Sequence, residues 1–268
     1  IAEPGGRLLA TGGATTLEGA AGGGLVPWAV MAGYATRDEW GGDLFVTRVS
    51  TGDYRLDSAG VAFSHANRLE LSFARQRLDI GVLANAAGLP RSSLGQDVYG
   101  LKLRLFGDLI YDELPQVALG LQHKRSDDFF IPGAVGALRE NDTEAYLTAS
   151  RLLLGGALGY NLLLNGVVRY TRANETGLLG HGGDRGDRHR WLAEGSAAVL
   201  LNRHWAVGME YRQKRGNLGF AEESDWKDLF VGYFPGKRLA VVAAWADLGE
   251  IATLKDQRGY YLSMQLTY

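Results

Sequence analysis

The sequence predicts an all-β protein, an antiparallel transmembrane β-barrel of about 12 strands, with a range of roughly 10 to 14. Three observations predict this class. Apolar and polar residues alternate with period two along most of the chain, tight turns alternate with long polar connections, and aromatic residues stand near both ends of the apolar faces. The composition agrees, because 38 glycines against 6 prolines in 268 residues suit the turns and close backbone approaches of a β protein.

The first element is a glycine-rich N-terminal segment, residues 1–42, which does not follow the strand rhythm. One interpretation is a plug folded into the lumen; the other is an extra strand near residues 28–36 behind a mobile periplasmic lead-in. We favour the plug, because the segment is too apolar for a flexible linker and carries little charge apart from Glu18. The chain starts with Ile1 rather than Met, so we expect that a signal peptide has been removed.

Residues 43–268 are predicted to form the barrel. A short connection at 50–54 stands where a long loop is expected, which is why the predicted count spans a range. Residues 152–168 carry no charge, but Gly155 and Gly156 predict two strands joined by a glycine turn rather than a membrane helix. The predicted strands lie near residues 43–50, 54–65, 68–80, 98–107, 115–125, 143–153, 157–172, 189–201, 204–214, 225–234, 237–247 and 258–268.

The polar face of these strands is predicted to line the lumen. Its charges are of both signs with a slight basic excess, and we expect internal salt bridges, since a narrow barrel buries charges that need partners. The body of the lumen is also expected to contain Arg190, Lys214, Glu70 and Asp228. The principal lumen-lining candidates are Lys102, Arg104, Lys124, Glu144, Arg169, Glu194, Glu210 and Arg212.

The apolar face is predicted to meet lipid, as a uniform band of Leu, Val, Ala and Met flanked by aromatic residues at both lipid–water interfaces. From Tyr260 to Tyr268 the strand spans about 26 Å, or roughly 20 Å along the membrane normal when tilted about 40°, close to the ~25 Å apolar band of such barrels. The interface aromatics are Trp191, Trp205, Tyr211, Tyr233, Trp245, Tyr260 and Tyr268.

The last predicted strand, YYLSMQLTY, ends on the aromatic Tyr268. It resembles the C-terminal signal of proteobacterial outer-membrane barrels, although the usual last residue there is Phe. The resemblance implies a location in the bacterial outer membrane, contact with its lipids and lipopolysaccharide, and delivery by the barrel-assembly machinery through this strand. Residues 11–38 further resemble an uncharacterised proteobacterial family, a domain of unknown function with a Gly-rich N-terminal segment, which implies fold and location but no activity.

The sequence shows few candidates for a catalytic or metal-binding site. The absence of cysteine excludes thiolate metal sites and cysteine nucleophiles, and a net charge of −2 with a pI of about 6.3 predicts no nucleic-acid partner. The densest candidate cluster is His181, Asp184, Asp187 and His189, but arginines interrupt it and its spacing matches no metal loop. We interpret it as a solvated, glycine-rich extracellular loop, and we predict no catalytic residue, metal or cofactor.

Three functions are compatible with this pattern. The first is a narrow passive outer-membrane channel for small polar or anionic solutes, narrowed or gated by residues 1–42. The second is a non-conducting structural or accessory barrel in a larger outer-membrane complex, with a protein partner or a second copy of the chain. The third is a hydrolase with its active site at the barrel rim, which we favour least because the sequence shows no recognisable catalytic motif.

Overall fold

Twelve strands form one closed antiparallel barrel in this computed structural model, which describes residues 5–89 and 91–268. The predicted fold class is therefore confirmed. Residues 1–4 of the predicted segment 1–42, with Ile1, lie outside the described residues. The barrel strands are β3 (Trp40–Ser50), β4 (Arg55–His65), β5 (Leu69–Asp79), β6 (Ser93–Phe106), β7 (Gln116–Ser126), β8 (Asn141–Ala157), β9 (Tyr160–Thr171), β10 (Arg190–Leu200), β11 (Trp205–Arg212), β12 (Trp226–Gly236), β13 (Leu239–Asp247) and β14 (Arg258–Thr267).

Alternating burial along each strand shows which face lies inside. In β14, Leu262 and Met264 are exposed on the outer surface while Ser263 and Gln265 are buried in the lumen. A barrel folded in water would place its apolar face inside, so this arrangement suits an apolar solvent outside. The barrel closes because β14 pairs with β3 from Tyr260 opposite Ser50 to Thr267 opposite Asp43, which leaves no free edge.

The connections define two ends of the barrel. The short-turn end carries the turns after β4, β6, β8, β10 and β12, and the long-loop end carries the others. The short 50–54 connection lies at the long-loop end and removes no strand from the count. The predicted glycine turn at 155–158 overlaps the observed turn only at its last residue: β8 continues to Ala157 through a register shift, and the turn lies at Leu158 and Gly159, both with positive φ.

The long-loop end is closed by folded loops. They contain helices α1 (Gly81–Ala87) and α2 (Phe130–Ala134) and the short 3₁₀ turn Glu175–Gly177. The prediction of a solvated loop at 181–189 is wrong for residues 181–183, which belong to a buried stretch that extends over 174–183. The reason is that Leu178 and Leu179 join the hydrophobic core, and Asn174 donates from Nδ2 to the carbonyl of Gly182 at 2.8 Å.

Residues 12–35, which we call the lumen segment, lie inside the barrel. Its only regular structure is a short antiparallel pair, β1 (Ala14–Thr15) with β2 (Ala21–Gly22), and residues 28–36 add no strand to the barrel. Val26, Ala29 and Met31 have no solvent exposure. Gly23 permits the closest approach to the wall, since a Cβ atom there would lie 2.0 Å from Oε1 of Glu210.

Among the described residues, no helix has the length and apolar character needed to span a membrane.

Candidate functional site: the occupied lumen

Five charged side chains form a row along the inner face of the barrel wall, one from each of the neighbouring strands β7 to β11. In strand order the residues are Lys124, Glu144, Arg169, Glu194 and Arg212. The signs alternate, and each neighbouring pair is in contact or linked through a shared partner. Nζ of Lys124 lies 2.8 Å from Oε1 of Glu144, Nε of Arg169 lies 2.5 Å from Oε1 of Glu194, and Nε of Arg212 lies 3.4 Å from the same oxygen. The row therefore contains three cations and two carboxylates.

Glu18 of the lumen segment supplies the missing negative charge. Its Oε1 lies 2.5 Å from Nζ of Lys124 and 3.0 Å from Nη2 of Arg212, and its Oε2 lies 3.8 Å from Nη1 of Arg169. All six groups are at least nine-tenths buried, so an unpaired charge among them would carry a large desolvation cost. The wall and the segment are thus electrically complementary: three cations meet three carboxylates only when the segment is in place.

Glu210, on β11, binds the backbone of the lumen segment. Its carboxylate accepts hydrogen bonds from the amides of Gly24 at 2.6 Å, Leu25 at 2.7 Å and Val26 at 3.3 Å. Three successive amides around one carboxylate form an anion-binding nest, here used by the protein's own side chain. Asp228, directly opposite Glu210 on β12, is buried, and both of its carboxylate oxygens lack a hydrogen-bond partner among the described residues.

A second ion pair holds the segment nearer the short-turn end. Glu70 accepts hydrogen bonds from the amides of Ala21 at 3.1 Å and Ala32 at 2.8 Å, and it lies 3.1 Å from Nζ of Lys102. Lys102 in turn donates to the carbonyls of Ala21 and Trp28, at 3.0 and 3.2 Å. This pair therefore satisfies donors and acceptors of the segment at the same time.

Uncharged wall residues satisfy much of the remaining segment backbone. Gln76 donates to the carbonyl of Leu17 at 2.6 Å, Ser150 accepts from the amide of Ala29 at 2.8 Å, and Trp28 donates from Nε1 to Ser196 at 2.7 Å. Further uncharged wall contacts come from Ser58, Ser64, Gln116, Thr148, Asn165 and Gln265. The carboxylate of Asp43 also accepts a hydrogen bond from the amide of Gly33 at 2.9 Å. A segment with few polar side chains is thus held by a wall whose polar groups are turned towards its backbone.

The structure brings most of the predicted lumen residues into these contacts. Arg104 differs, since it lies at the short-turn end, half-buried, and donates to the carbonyl of Gly107. Arg190 is exposed at the start of β10, so the prediction that it lies within the lumen is wrong. Lys214 is buried at the long-loop end, where it pairs with Glu175.

The predicted interface aromatics all lie exposed on the outer surface, at two levels. Tyr233 and Trp205 face each other near the short-turn end, with ring centroids 4.4 Å apart, and Trp245 lies opposite Tyr260 towards the long-loop end. Tyr268 joins the first level. Tyr211 and Trp191 lie at the second level, where Trp191 packs at 4.6 Å against the ring of Tyr170. This two-level arrangement is the one that lipid–water interfaces select.

The outer face is not uniformly apolar, and that prediction is wrong for β3 to β6. Arg48 pairs with Asp57 at 2.6 Å and Arg75 with Asp97 at 3.0 Å, all on the outer surface towards the long-loop end. Arg55 pairs with Asp79 at 3.1 Å in the same belt. Opposite charges stand side by side on neighbouring strands, so the belt is close to neutral.

The cluster suggested by HGGDRGDRH is dispersed in the structure. His181 is buried, and neither of its ring nitrogens has a hydrogen-bond partner among the residues that the structure describes; burial lowers its pKa to about 4. His189 lies 3.0 Å from Asp142, whereas Asp187 pairs with Arg139 and Arg172. Within the part of the chain that the structure describes, no group of three or more His, Asp or Glu side chains could hold a metal ion.

The predicted set of lumen charges does not include Glu18. The signal was present, because Glu18 is the only charged residue between positions 12 and 36. A lone carboxylate in an apolar segment that occupies a barrel must find a cation, and the wall was expected to have a basic excess. Glu175 and His181 gave no such signal, since a polar loop residue is exposed in most proteins.

These features define a porin-like β-barrel of the outer-membrane type, with its own N-terminal segment in the lumen. Residues 11–265 match the family described as "Protein of unknown function (DUF3034)", and the chain belongs to that family. No curated protein sequence matches the chain.

Comparison with solved structures shows the same fold. The KdgM porin is 10% identical, with a TM-score of 0.55 over 84% of this chain and 99% of that chain; the KdgM porin in complex with disordered oligogalacturonate gives a TM-score of 0.54 at the same identity and coverage. Omp33 of Acinetobacter baumannii is 9% identical, with a TM-score of 0.49 over 86% of this chain and 98% of that chain. At 10% identity, the likeness to the KdgM porin is one of fold.

Proposed function

We propose that this protein is an outer-membrane channel of the porin class that is closed at rest by its own lumen segment and opens when that segment is displaced. The observation that carries the proposal is the charge complementarity between Glu18 and the row of five charges on β7 to β11. A wall that served only to hold the barrel rigid could balance its own charges and would not need a net positive charge. A removable segment that carries the balancing carboxylate gives the barrel two states, one neutral with the segment bound and one positive without it.

The open state would favour small polar or anionic solutes. When Glu18 leaves, the row keeps Lys124, Arg169 and Arg212 against two carboxylates and gains one net positive charge facing water. A ring or row of one sign in a narrow pore selects solutes of the other sign. The KdgM complex with oligogalacturonate offers a precedent for a porin of this fold meeting a polar ligand.

A second candidate is a non-conducting structural barrel. The number of wall side chains that bind the lumen segment favours it, because Glu210, Glu70 and Lys102 alone contact seven segment backbone groups. In that case the segment would be a permanent core, comparable to the packed interior of a small barrel.

Single-channel recording in planar bilayers separates the two candidates. We expect the full chain to be silent, and a variant lacking residues 1–35, which keeps every barrel strand, to show current steps with a preference for anions. Heat-dependent gel mobility establishes that the shortened barrel is folded. If it is not, the full-length double variant Glu18→Gln, Glu210→Ala replaces it, with Glu39→Gln, Glu222→Gln as the matched control at exposed carboxylates.

Silence from a folded barrel without the segment would refute the channel and leave the structural barrel. Current steps of equal size from the full chain would instead show that the segment does not close the lumen.

A further inference from the structure

The folded loops at the long-loop end enclose an apolar cavity that the channel proposal does not use. It has a volume of about 110 Å³ and lies between β5, β6, α2 and the buried loop 174–183. Among the described residues that line it, Glu175 is the one with a polar side chain. Its Oε2 pairs with Lys214, and its Oε1 has no hydrogen-bond partner among those residues. The main lining residues are Leu78, Ile80, Leu94, Ile131, Leu179 and Ile251.

A second, smaller apolar cavity of about 20 Å³ adjoins the first. Leu78, Glu175 and Ile251 line both, so the two are separated by the thickness of a few side chains. Trp226 and Tyr54 complete the wall of the smaller cavity. The two apolar cavities are therefore distinct neighbours that share part of their lining.

The larger cavity lies close to an apolar part of the surface. Phe220 lines it and keeps 39% of its own surface exposed, which places this ring between the cavity and the solvent. Val82 on α1 and Phe130 on α2, at 51% and 59% exposure, each precede in sequence a residue that lines the cavity, Leu83 and Ile131. Large exposed apolar side chains on a loop surface are typical of places that meet an apolar partner.

An apolar cavity of this kind is a ready ligand site. Its lining loses dispersion contacts on one side, and it is too apolar to be filled by ordered water, which needs two to four polar partners. In another protein, an apolar cavity of about 150 Å³ stays dry and binds benzene. The volume here is of the same order.

We propose that this cavity binds one small, uncharged, apolar molecule of the size of benzene or toluene. The ligand enters past Phe220 and is held by contact with Ile131, Leu94 and Leu179, without hydrogen bonds. The site is independent of what the lumen conducts, because neither the lumen segment nor the row of charges lines it.

The test uses the purified full chain in detergent micelles, with trifluoromethylbenzene as the probe, followed by fluorine NMR. We expect saturable binding above the partition into empty micelles, with a dissociation constant on the order of 1 mM. Toluene should displace the probe, whereas benzoate, of similar size but charged, should not.

Leu83 on α1 also lines the cavity. Two variants that fill the cavity, Ile131→Trp and Leu83→Trp, should each weaken binding at least tenfold. The matched control is Leu121→Trp, which places the same ring on the outer face of β7, and it should bind like the unaltered chain. Heat-dependent gel mobility checks that each variant is folded, and two filling variants guard against the loss of one.

Non-saturable partition equal to that of empty micelles, or saturable binding that both filling variants retain, would overturn the site. Equal competition by benzoate would also overturn it. Because binding is measured without current, a failed conductance experiment leaves this result standing, and the reverse holds as well.

Discussion

Glu18 combines features that seldom coincide in one residue: it is charged, almost wholly buried, and carried by a segment that is not part of the wall. Its three cationic partners come from β7, β9 and β11, so it joins alternate strands of the barrel to the lumen segment. Neutralising it leaves a net buried positive charge that the wall cannot cancel. Loss of one partner from a buried ion network costs about 3–5 kcal/mol. Most of this cost destabilises the binding of the lumen segment, because the ion pairs within the wall remain.

We therefore expect Glu18→Gln to release the lumen segment while the barrel stays folded. The chain contains no cysteine, so a cysteine introduced as Ala29→Cys, at a position without solvent exposure, reports on the segment alone. Its reaction with a water-soluble maleimide should be slow in the otherwise unaltered chain. Addition of Glu18→Gln should accelerate it on the order of 100-fold, corresponding to about 3 kcal/mol.

The control for this experiment is Glu39→Gln in the same Ala29→Cys background. Glu39 is an exposed carboxylate just outside the segment, so its loss changes the same net charge without unpairing a buried cation. Equal labelling rates in the two variants would show that Glu18 does not hold the segment in the lumen.

At the scale of elements, sequence patterns predicted the strands well because lipid and lumen impose opposite demands on successive residues. In β14, Leu262 and Met264 face outward and are apolar, whereas Ser263 and Gln265 face the lumen and are polar. The lumen segment has no such period. Its position depends on partners far away in sequence, such as Glu210 for the amide of Gly24, and no local pattern contains them.

The loop 174–183 is a second segment whose position in the structure is not predicted by its local sequence. Its glycines and polar residues are those of a solvated loop, yet Leu178 and Leu179 suffice to turn it into the lumen mouth, where Asn174 replaces water as the hydrogen-bond partner. Two leucines in a polar stretch are a weak signal when read alone, since single exposed leucines are common on protein surfaces.

His181 makes this buried loop sensitive to acid. Its pKa is lowered to about 4, mainly by burial and further by Lys124 and Arg172, against the opposing effects of Glu144 and Asp142. A group whose pKa is lower in the folded state stabilises that state above its unfolded pKa of about 6.5. That stability is lost as the pH falls from 6.5 towards 4, by about 3 kcal/mol in total.

His181→Phe should therefore abolish the loss of loop stability between pH 6.5 and 4, measured as amide hydrogen exchange of residues 174–183. Phe is a suitable replacement because neither ring nitrogen of His181 has a hydrogen-bond partner among the described residues that the substitution would remove. The comparison of the two proteins is essential, because burial raises the pKa of Glu175 to about 7, opposed by Lys214, so its contribution is lost as the pH rises instead. Parallel pH profiles for the two proteins would contradict the role of His181.

At the scale of the whole molecule, the barrel reverses the usual distribution of side chains. Its outside carries leucine, valine and aromatic residues, with a belt of paired charges on β3 to β6. Its inside carries ion pairs, amides and hydroxyls closed over by apolar loops. The stability of such a molecule depends on the solvent at each depth. Between the two aromatic levels on β14 the outward residues are Leu262, Met264 and Leu266, and the first outward charge, Arg258, comes only beyond Tyr260.

The cost of a charge on the outer face should therefore depend on its depth in the membrane. Met264 lies midway between Tyr260 and Tyr268 and is exposed, so Met264→Arg would place a charge at the centre of the hydrocarbon layer. We expect a loss of about 2–4 kcal/mol in the free energy of unfolding from lipid vesicles, measured by denaturant titration. Ser50→Arg, on β3 directly opposite Tyr260 and also outward, adds the same charge at the interface and should cost only about 0–1 kcal/mol. Since both positions are outward and neither side chain touches the lumen, equal costs would mean that this face does not meet a bilayer core.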